Sequence, residues 1–426
     1  YEFPDGDVSF TQLLYPSMEK EDIAEIAVHN DESDFGFFSD KDGNFFLTDY
    51  VGTVYDADAF SYLVVSSRYP TVYQRMTTDL SNLKQYGLDK ESDPAWYEIT
   101  SKDGRSYKVY IGDLAPTENR YYVMVEGQDA IYLSGTDIDY MLRSKEAYVK
   151  PYIAYPVDSN EYYMTERFTL KKRVDDETVI DVRWLEDEER QELGIENYYT
   201  FEYPKGYSVN STNYDTVLQT FVEFLGTETV AFCNVNEAMP EEKLIEYGVD
   251  VNSYEYELYY KYKGIENYIY IGEVLKDTET VIDEKTGEET EVETGLEFRY
   301  VYSPGFSLIA KVSTETLKFL NWDKIDYIDP ALLSHLNIDN CKSIAISGEG
   351  VDEFYTLKGE STDMTVDVKS TDTTIKATET ENFRRLYSKL LYLSLKDYSQ
   401  NRETDDLMMS LTVTTRKNVV TEYKFY

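Results

Sequence analysis

The chain has 426 residues, 82 of them acidic and 41 basic, for a formal net charge of −41. Such a surface repels polyphosphates and anionic headgroups, which argues against nucleic acid or a lipid surface as partner. Aromatic residues make up 15% of the chain, with 42 tyrosines. That content separates it from disordered acidic chains, and the length allows roughly three domains of about 150 residues.

No apolar run approaches the roughly 18 residues of a membrane-spanning helix. The sequence opens on Tyr1 and not on methionine, so a cleaved signal or an anchor helix upstream is expected. Residues 1–21 read as an irregular acidic lead. Residues 23–28 alternate as a strand, and 35–38 pair with 44–47 across Asp40-Lys41-Asp42-Gly43. That acidic turn resembles a fragment of a calcium loop. It lacks the third oxygen ligand and the distant glutamate, and it reads as a hairpin turn. Residues 56–66 form a helix capped by Asp56 or Asp58, burying Phe60, Leu63 and Val64.

Residues 83–144 then set out a pattern that the chain states twice. Leu83-Lys84-Gln85-Tyr86-Gly87-Leu88-Asp89 is followed by a strand ending Ile111-Gly112-Asp113. Leu244-Ile245-Glu246-Tyr247-Gly248-Val249-Asp250 is followed by one ending Ile271-Gly272-Glu273. The glycines lie 25 residues apart in the first copy and 24 in the second. Gly87 and Gly248 read as left-handed stops of a short helix. The alternation that follows predicts a hairpin about Asp103-Gly104, a second hairpin pairing 121–125 with 130–133, and a capped helix over 136–142. A glycine beside a carboxylate, as in Gly112-Asp113 and Gly272-Glu273, is readable as a site or as a strand end with a tight turn; turn chemistry favours the latter.

The second module opens with strands at 152–155, 168–170, 179–184 and 198–203. A helix over 215–225 presents Val217, Leu218, Phe221, Val222 and Leu225 on one face. Residues 277–294 form an acidic excursion, read as a long exposed hairpin around Asp283 to Glu288. A closing helix is expected over 314–320. A third opening half predicts strands at 343–346, 353–357 and 364–368. A helix over 379–395 follows, with Phe383, Leu386, Tyr387, Leu390 and Leu391 at helical spacing, and then a hairpin pairing 408–414 with 419–426. By analogy with the earlier copies, two more strands and a helix are expected after Tyr426. The fold class is therefore α+β: tandem modules of small antiparallel sheets packed with helices, at 1–150, 151–330 and a partial 331–426.

Chemistry is sparse. Cys233 and Cys341 form neither a CxxC pair nor a zinc pattern, and their spacing leaves a disulfide or two buried thiols equally open. The two histidines, His29 and His335, have no motif around them. There is no GxSxG, HExxH or phosphate-binding loop. Ser81-Asn82-Leu83-Lys84 matches a serine-lysine pattern without its companions. No catalytic residue, cofactor or metal ligand is assigned.

The Tyr-Gly-Leu-Asp turn, the Asp-Gly hairpin, Ile-Gly-Asp and Tyr121-Tyr122-Val123 together resemble bacterial proteins carrying the domain of unknown function numbered 4340. The resemblance is fullest over 23–142 and looser over 179–320. In the second copy Tyr-Lys-Gly-Ile-Glu replaces the Asp-Gly turn, and the acidic insert is extra. The resemblance implies an anchor helix before Tyr1, a location outside the cytoplasmic membrane, and association with ABC-type transport systems of the kind related to gliding motility. The family supplies no catalytic residues. The expected function is thus a membrane-anchored extracytoplasmic accessory or binding protein working beside transporter subunits. The alternatives are a structural spacer, or a hydrolase using an unrecognised carboxylate pair.

Overall fold

A computed structural model describes residues 12–426 except 51, 117–118, 136, 194–196, 236, 283–288, 332, 334–336 and 396–406. It is dominated by three open antiparallel sheets with few helices. The first sheet holds β1 (Gln12–Leu13), β2 (Ile23–His29), β3 (Asp34–Ser39), β4 (Phe45–Leu47), β5 (Thr71–Thr77), β6 (Ala95–Ser101), β7 (Ser106–Leu114), β8 (Tyr121–Val125) and β9 (Ile131–Ser134). Their order is β1-β5-β9-β8-β7-β6-β2-β3-β4.

The second sheet holds β10 (Arg167–Lys172), β11 (Glu177–Trp184), β12 (Tyr199–Tyr203), β13 (Glu228–Phe232), β14 (Tyr256–Tyr262), β15 (Ile265–Ile271), β16 (Leu275–Ile282), β17 (Glu289–Ser303) and β18 (Leu308–Ser313). The order is β12-β11-β10-β14-β15-β17-β18-β13, with β16 paired to β17 alone. The third holds β19 (Cys341–Gly348), β20 (Val351–Lys358), β21 (Thr365–Val368), β22 (Thr373–Ile375), β23 (Met409–Thr415) and β24 (Val420–Phe425), ordered β22-β21-β20-β19-β23-β24.

The chain divides into two compact units. One comprises 1–153, 225–247 and 302–312, and the other 154–224, 248–301 and 313–426. In the first, period-two alternation sends Ile26, Phe37, Ile99, Val109 and Val123 to one face of the sheet. Helix α1 (Ala57–Arg68) covers that face. Asp56 caps it by accepting from the Asp58 and Ala59 amides at 3.0 and 2.8 Å, and Phe60 meets Phe37 and Phe45 at ring distances of 4.5 and 5.0 Å. Fully buried Tyr97 keeps its hydroxyl satisfied against the Tyr15 hydroxyl at 3.1 Å.

In the second unit, α2 (Asp187–Leu193) follows β11, and α3 (Ser211–Gln219) continues as a tighter turn over 220–223. Tyr214, Val217, Leu218 and Phe221 are buried there, and Phe221 lies 4.2 Å from Tyr260. On the third sheet, Phe383, Tyr387 and Leu390 of a helix spanning Glu381–Leu391 share a core with Ile344, Leu357, Val366, Leu411 and Val413.

Several helices are shorter than the sequence suggests. The helix expected over 136–142 is one 3₁₀ turn, Asp139–Met141, and that over 314–320 is the turn Lys318–Asn321. The strand expected at 152–155 is a single bridge from Tyr152 to Leu225. The flanks of the acidic excursion pair as β16 and β17, while its tip, like Ser334 and His335, lies outside the described residues.

Candidate functional site

The motif residues form two junctions. In the first, Leu83–Tyr86 makes a 3₁₀ turn ended by Gly87 at φ 64°, and the Leu88 amide returns to the Leu83 carbonyl at 3.1 Å. The end of β7 lies directly on this turn. A Cβ on Gly87 would stand 2.5 Å from Asp113 Oδ1 and 2.9 Å from its amide nitrogen, and one on Gly112 would collide with the Tyr86 carbonyl. The β7–β8 register slips between Ile111 and Leu114, so Gly112 and Asp113 sit in a bulge. Asp89 accepts from the Glu91 amide and the Ser92 hydroxyl; the Ser92 bond foremost holds its carboxyl below the usual range.

The second junction is looser. Helix α4 (Glu241–Glu246) ends at Tyr247, and Gly248 follows at φ 62° with nothing within 4 Å of its would-be Cβ. Gly272 lies near the Gly248 carbonyl, and its amide donates to Tyr300 O at 2.9 Å. Buried Arg299 donates from Nη1 to the Gly272 carbonyl at 2.6 Å and to Glu255 at 2.5 Å. Asp250 is buried, and the Ser253 hydroxyl with the Asn252 amide lowers its pKa. Ile111 and Ile271 are core residues; Asp113 and Glu273 are exposed. These residues brace strand ends against turns.

A recess of mixed lining lies elsewhere in the first unit, a cleft of about 400 Å³. Its floor is Tyr50 and Phe232, with ring centroids 4.6 Å apart. Lys145 donates to the Tyr50 hydroxyl at 2.9 Å, and its ammonium stands 5.1 and 5.6 Å from the two rings. That placement holds a cation against aromatic faces. Asp49, Glu146, Glu237 and Glu242 line the cleft beside Lys145 and Lys243, so its rim is acidic.

β13 supplies Val230, Ala231 and Phe232. The Thr229 hydroxyl donates to Val149 O at 2.9 Å and Tyr247 to Val230 O at 3.2 Å, which fixes this strand beside the 3₁₀ turn Lys145–Tyr148. Partly buried Cys233 donates weakly to the Glu237 and Ser307 carbonyls, and burial, then Glu237, pushes its thiol pKa up. A thiol held protonated is a poor nucleophile. Sequence reasoning missed this cleft because its parts are separated by up to two hundred positions and β13 has no turn residues announcing it.

Several other residues that the sequence singles out are engaged locally. His29 Nδ1 lies 2.5 Å from Asp34, and its ring stacks on Trp96 at 5.5 Å. Lys108 covers that indole at 3.5 Å, so Trp96 offers no open platform. Lys84 faces Glu91 at 3.8 Å, and the Ser81 amide donates to Asp79. Asp40 accepts from the Asp42 and Asn44 amides, as a hairpin turn requires. Cys233 and Cys341 are both free, and burial pushes the Cys341 thiol up to about 12. Among the described residues, no group of three or more His, Cys, Asp or Glu is placed to hold a metal ion, and no helix is long and apolar enough to cross a membrane.

The fold and cleft define an open-sheet α+β protein with a small aromatic-floored recess. Residues 46–250 match the family model described as a domain of unknown function, DUF4340, and the chain carries that domain. Every residue lining the cleft lies inside the matched stretch. No curated protein matches the chain.

Proposed function

We propose that the chain is an extracytoplasmic accessory protein, anchored to the membrane and engaging a peptide segment of an ABC-type transport system through the Tyr50–Lys145–Phe232 cleft. The single observation that carries this reading is the cleft: an apolar floor with one fixed cation and an acidic rim, lying wholly within the family-matched stretch. Such a recess suits an apolar side chain flanked by a basic one. The transport partner and the location come from the family resemblance. A spacer has no need of a recess with an ordered lysine, which favours binding over pure scaffolding.

The reading includes a shared architectural plan. Sheet one from its edge runs β4-β3-β2-β6-β7-β8-β9-β5, and sheet two runs β12-β11-β10-β14-β15-β17-β18-β13. Position by position these are corresponding strands in chain order, with β16 an insertion. The third sheet follows the first five positions as β21-β20-β19-β23-β24. Agreement in strand order supports three successive modules, the third an opening half.

Affinity capture from native membranes tests the function, using full-length protein and its Tyr50→Ala variant. Transport-system subunits recovered with the wild type and reduced at least tenfold with Tyr50→Ala are expected. Recovery of the wild type alone, in soluble fractions, overturns the reading.

A further inference from the structure

We propose that the second sheet binds an uncharged, hydroxyl-rich saccharide in a recess of about 380 Å³ on the face opposite its buried core, between the Arg167–Asp181 pair and the rings of Tyr259 and Tyr268. Alternation puts the recess there. Phe168, Leu170, Leu258, Tyr260 and Ile269 are buried on the core side, so Thr169 of β10, Tyr259 of β14 and Tyr268 of β15 turn the other way. The ladders align one row across four strands: Asp181 pairs with Thr169, Thr169 with Tyr259, and Tyr259 with Tyr268. Thr169 is short, and the longer Arg167 and Lys171 stand on either side of it along β10. The β10–β11 register slips between Leu170 and Lys171, which re-aims Lys171 opposite Thr178, a second small residue of the lining.

The polar groups are held in place before any ligand arrives. Arg167 donates from Nε and Nη2 to Asp181 at 3.0 and 2.6 Å, and the Thr169 hydroxyl donates to the same carboxylate at 3.2 Å. The Tyr259 hydroxyl donates to Glu266 at 3.2 Å, which fixes one ring; the Tyr268 ring lies 5.0 Å away, tilted by 50°. On the first sheet Lys108 covers Trp96, whereas among the described residues no cation stands over Tyr259 or Tyr268, and Tyr268 is 45% exposed. An open aromatic face is electron-rich. It suits the partly positive C–H groups on one face of a pyranose ring, whose hydroxyls then meet donors on Arg167 and Lys171 and acceptors on Asp181 and Glu257. Lys171 and Glu257 are partners across the β10–β14 ladder and form no ion pair among the described residues, so the ammonium is available to a ligand oxygen.

The lining also argues against other ligands. Two cations and two carboxylates cancel in formal charge, and an anionic polymer would meet the field of a chain with net charge −41. No aliphatic side chain lines the recess, so it offers no pocket for the apolar anchor of a peptide. Groups ordered in advance lose little freedom on binding. The recess belongs to a different compact unit from the Tyr50–Lys145–Phe232 cleft, and the two readings stand or fall separately.

Isothermal titration calorimetry on the full chain tests the proposal, with cellohexaose, maltohexaose and chitohexaose as uncharged probes and a hexamer of galacturonate as the anionic one. Saturable binding of at least one uncharged hexaose is expected, with none of the galacturonate hexamer. Tyr268→Ala is expected to weaken that binding about tenfold and Tyr268→Phe, which keeps the ring, to preserve it. Glu257→Gln, which keeps the shape and removes a charged acceptor, is expected to weaken it as well. Each variant is first shown to unfold at the wild-type temperature. Binding of none of the three uncharged hexaoses, equal affinity in Tyr268→Ala, or tighter binding of the galacturonate hexamer overturns the proposal.

Discussion

Replacing Gly87 and Gly248 by alanine separates two costs that usually arrive together. Each glycine follows a tyrosine, Tyr86 or Tyr247, and both adopt nearly the same left-handed backbone, φ 64° and 62°. A Cβ in that conformation costs about 1 kcal/mol relative to glycine, and Gly248→Ala has no further contact to meet. Gly87→Ala must also displace Asp113. Its carboxylate, 2.5 Å away, can rotate clear, but its amide nitrogen at 2.9 Å belongs to the bulge of β7 and cannot move alone. Overpacking of this kind adds about 1–3 kcal/mol. We therefore expect about 1 kcal/mol for Gly248→Ala and about 3 kcal/mol for Gly87→Ala. Adding Asp113→Ala to the latter should recover only the side-chain share. Hydrogen exchange across a urea series, read separately at 83–89 and 244–250, measures both. Equal costs at the two positions, or full rescue by Asp113→Ala, would refute the reasoning.

Other expectations follow from buried and titrating groups. Arg299→Met leaves the Gly272 carbonyl without its charged donor and should cost about 3 kcal/mol in urea unfolding, whereas Glu255→Gln, on a 40%-exposed partner, should cost about 1 kcal/mol; equal losses would contradict the bridge. Because the folded pKa of Asp250 is depressed, its stabilisation is complete above its unfolded value of about 4 and is lost as pH falls through the lower folded value. The urea midpoint of Asp250→Asn should accordingly be flatter below about pH 4 than that of the wild type, and parallel curves would count against it. Iodoacetamide at pH 8 should modify Cys233 slowly and Cys341 only on unfolding, read by peptide mass mapping; comparable native rates would contradict the burial of Cys341.

Much of the fold was legible because it depends on short-range signals. Alternation marked β2, β6, β7, β19 to β21, β23 and β24, and Asp56 marked the start of α1. Paired turns at Gly87 and Gly248 drew attention to the junctions with Gly112 and Gly272. What escaped was what depends on partners distant in sequence. β5 and β13 are strands whose place is set by β9 and β18. The helices expected at 136–142 and 314–320 shrink to single turns because tertiary packing, and not propensity, fixes their length. The candidate cleft escaped entirely: Tyr50, Lys145 and Phe232 carry no local motif, and only folding brings them together.

A photo-crosslinking residue placed at position 242, on the acidic rim of the cleft, in full-length protein within native membranes probes the binding claim most directly. The account predicts a covalent adduct with a transport-system subunit at 242 and none from the same probe at position 417 on the third sheet's hairpin. No adduct at 242, or equal yields at both positions, would contradict it.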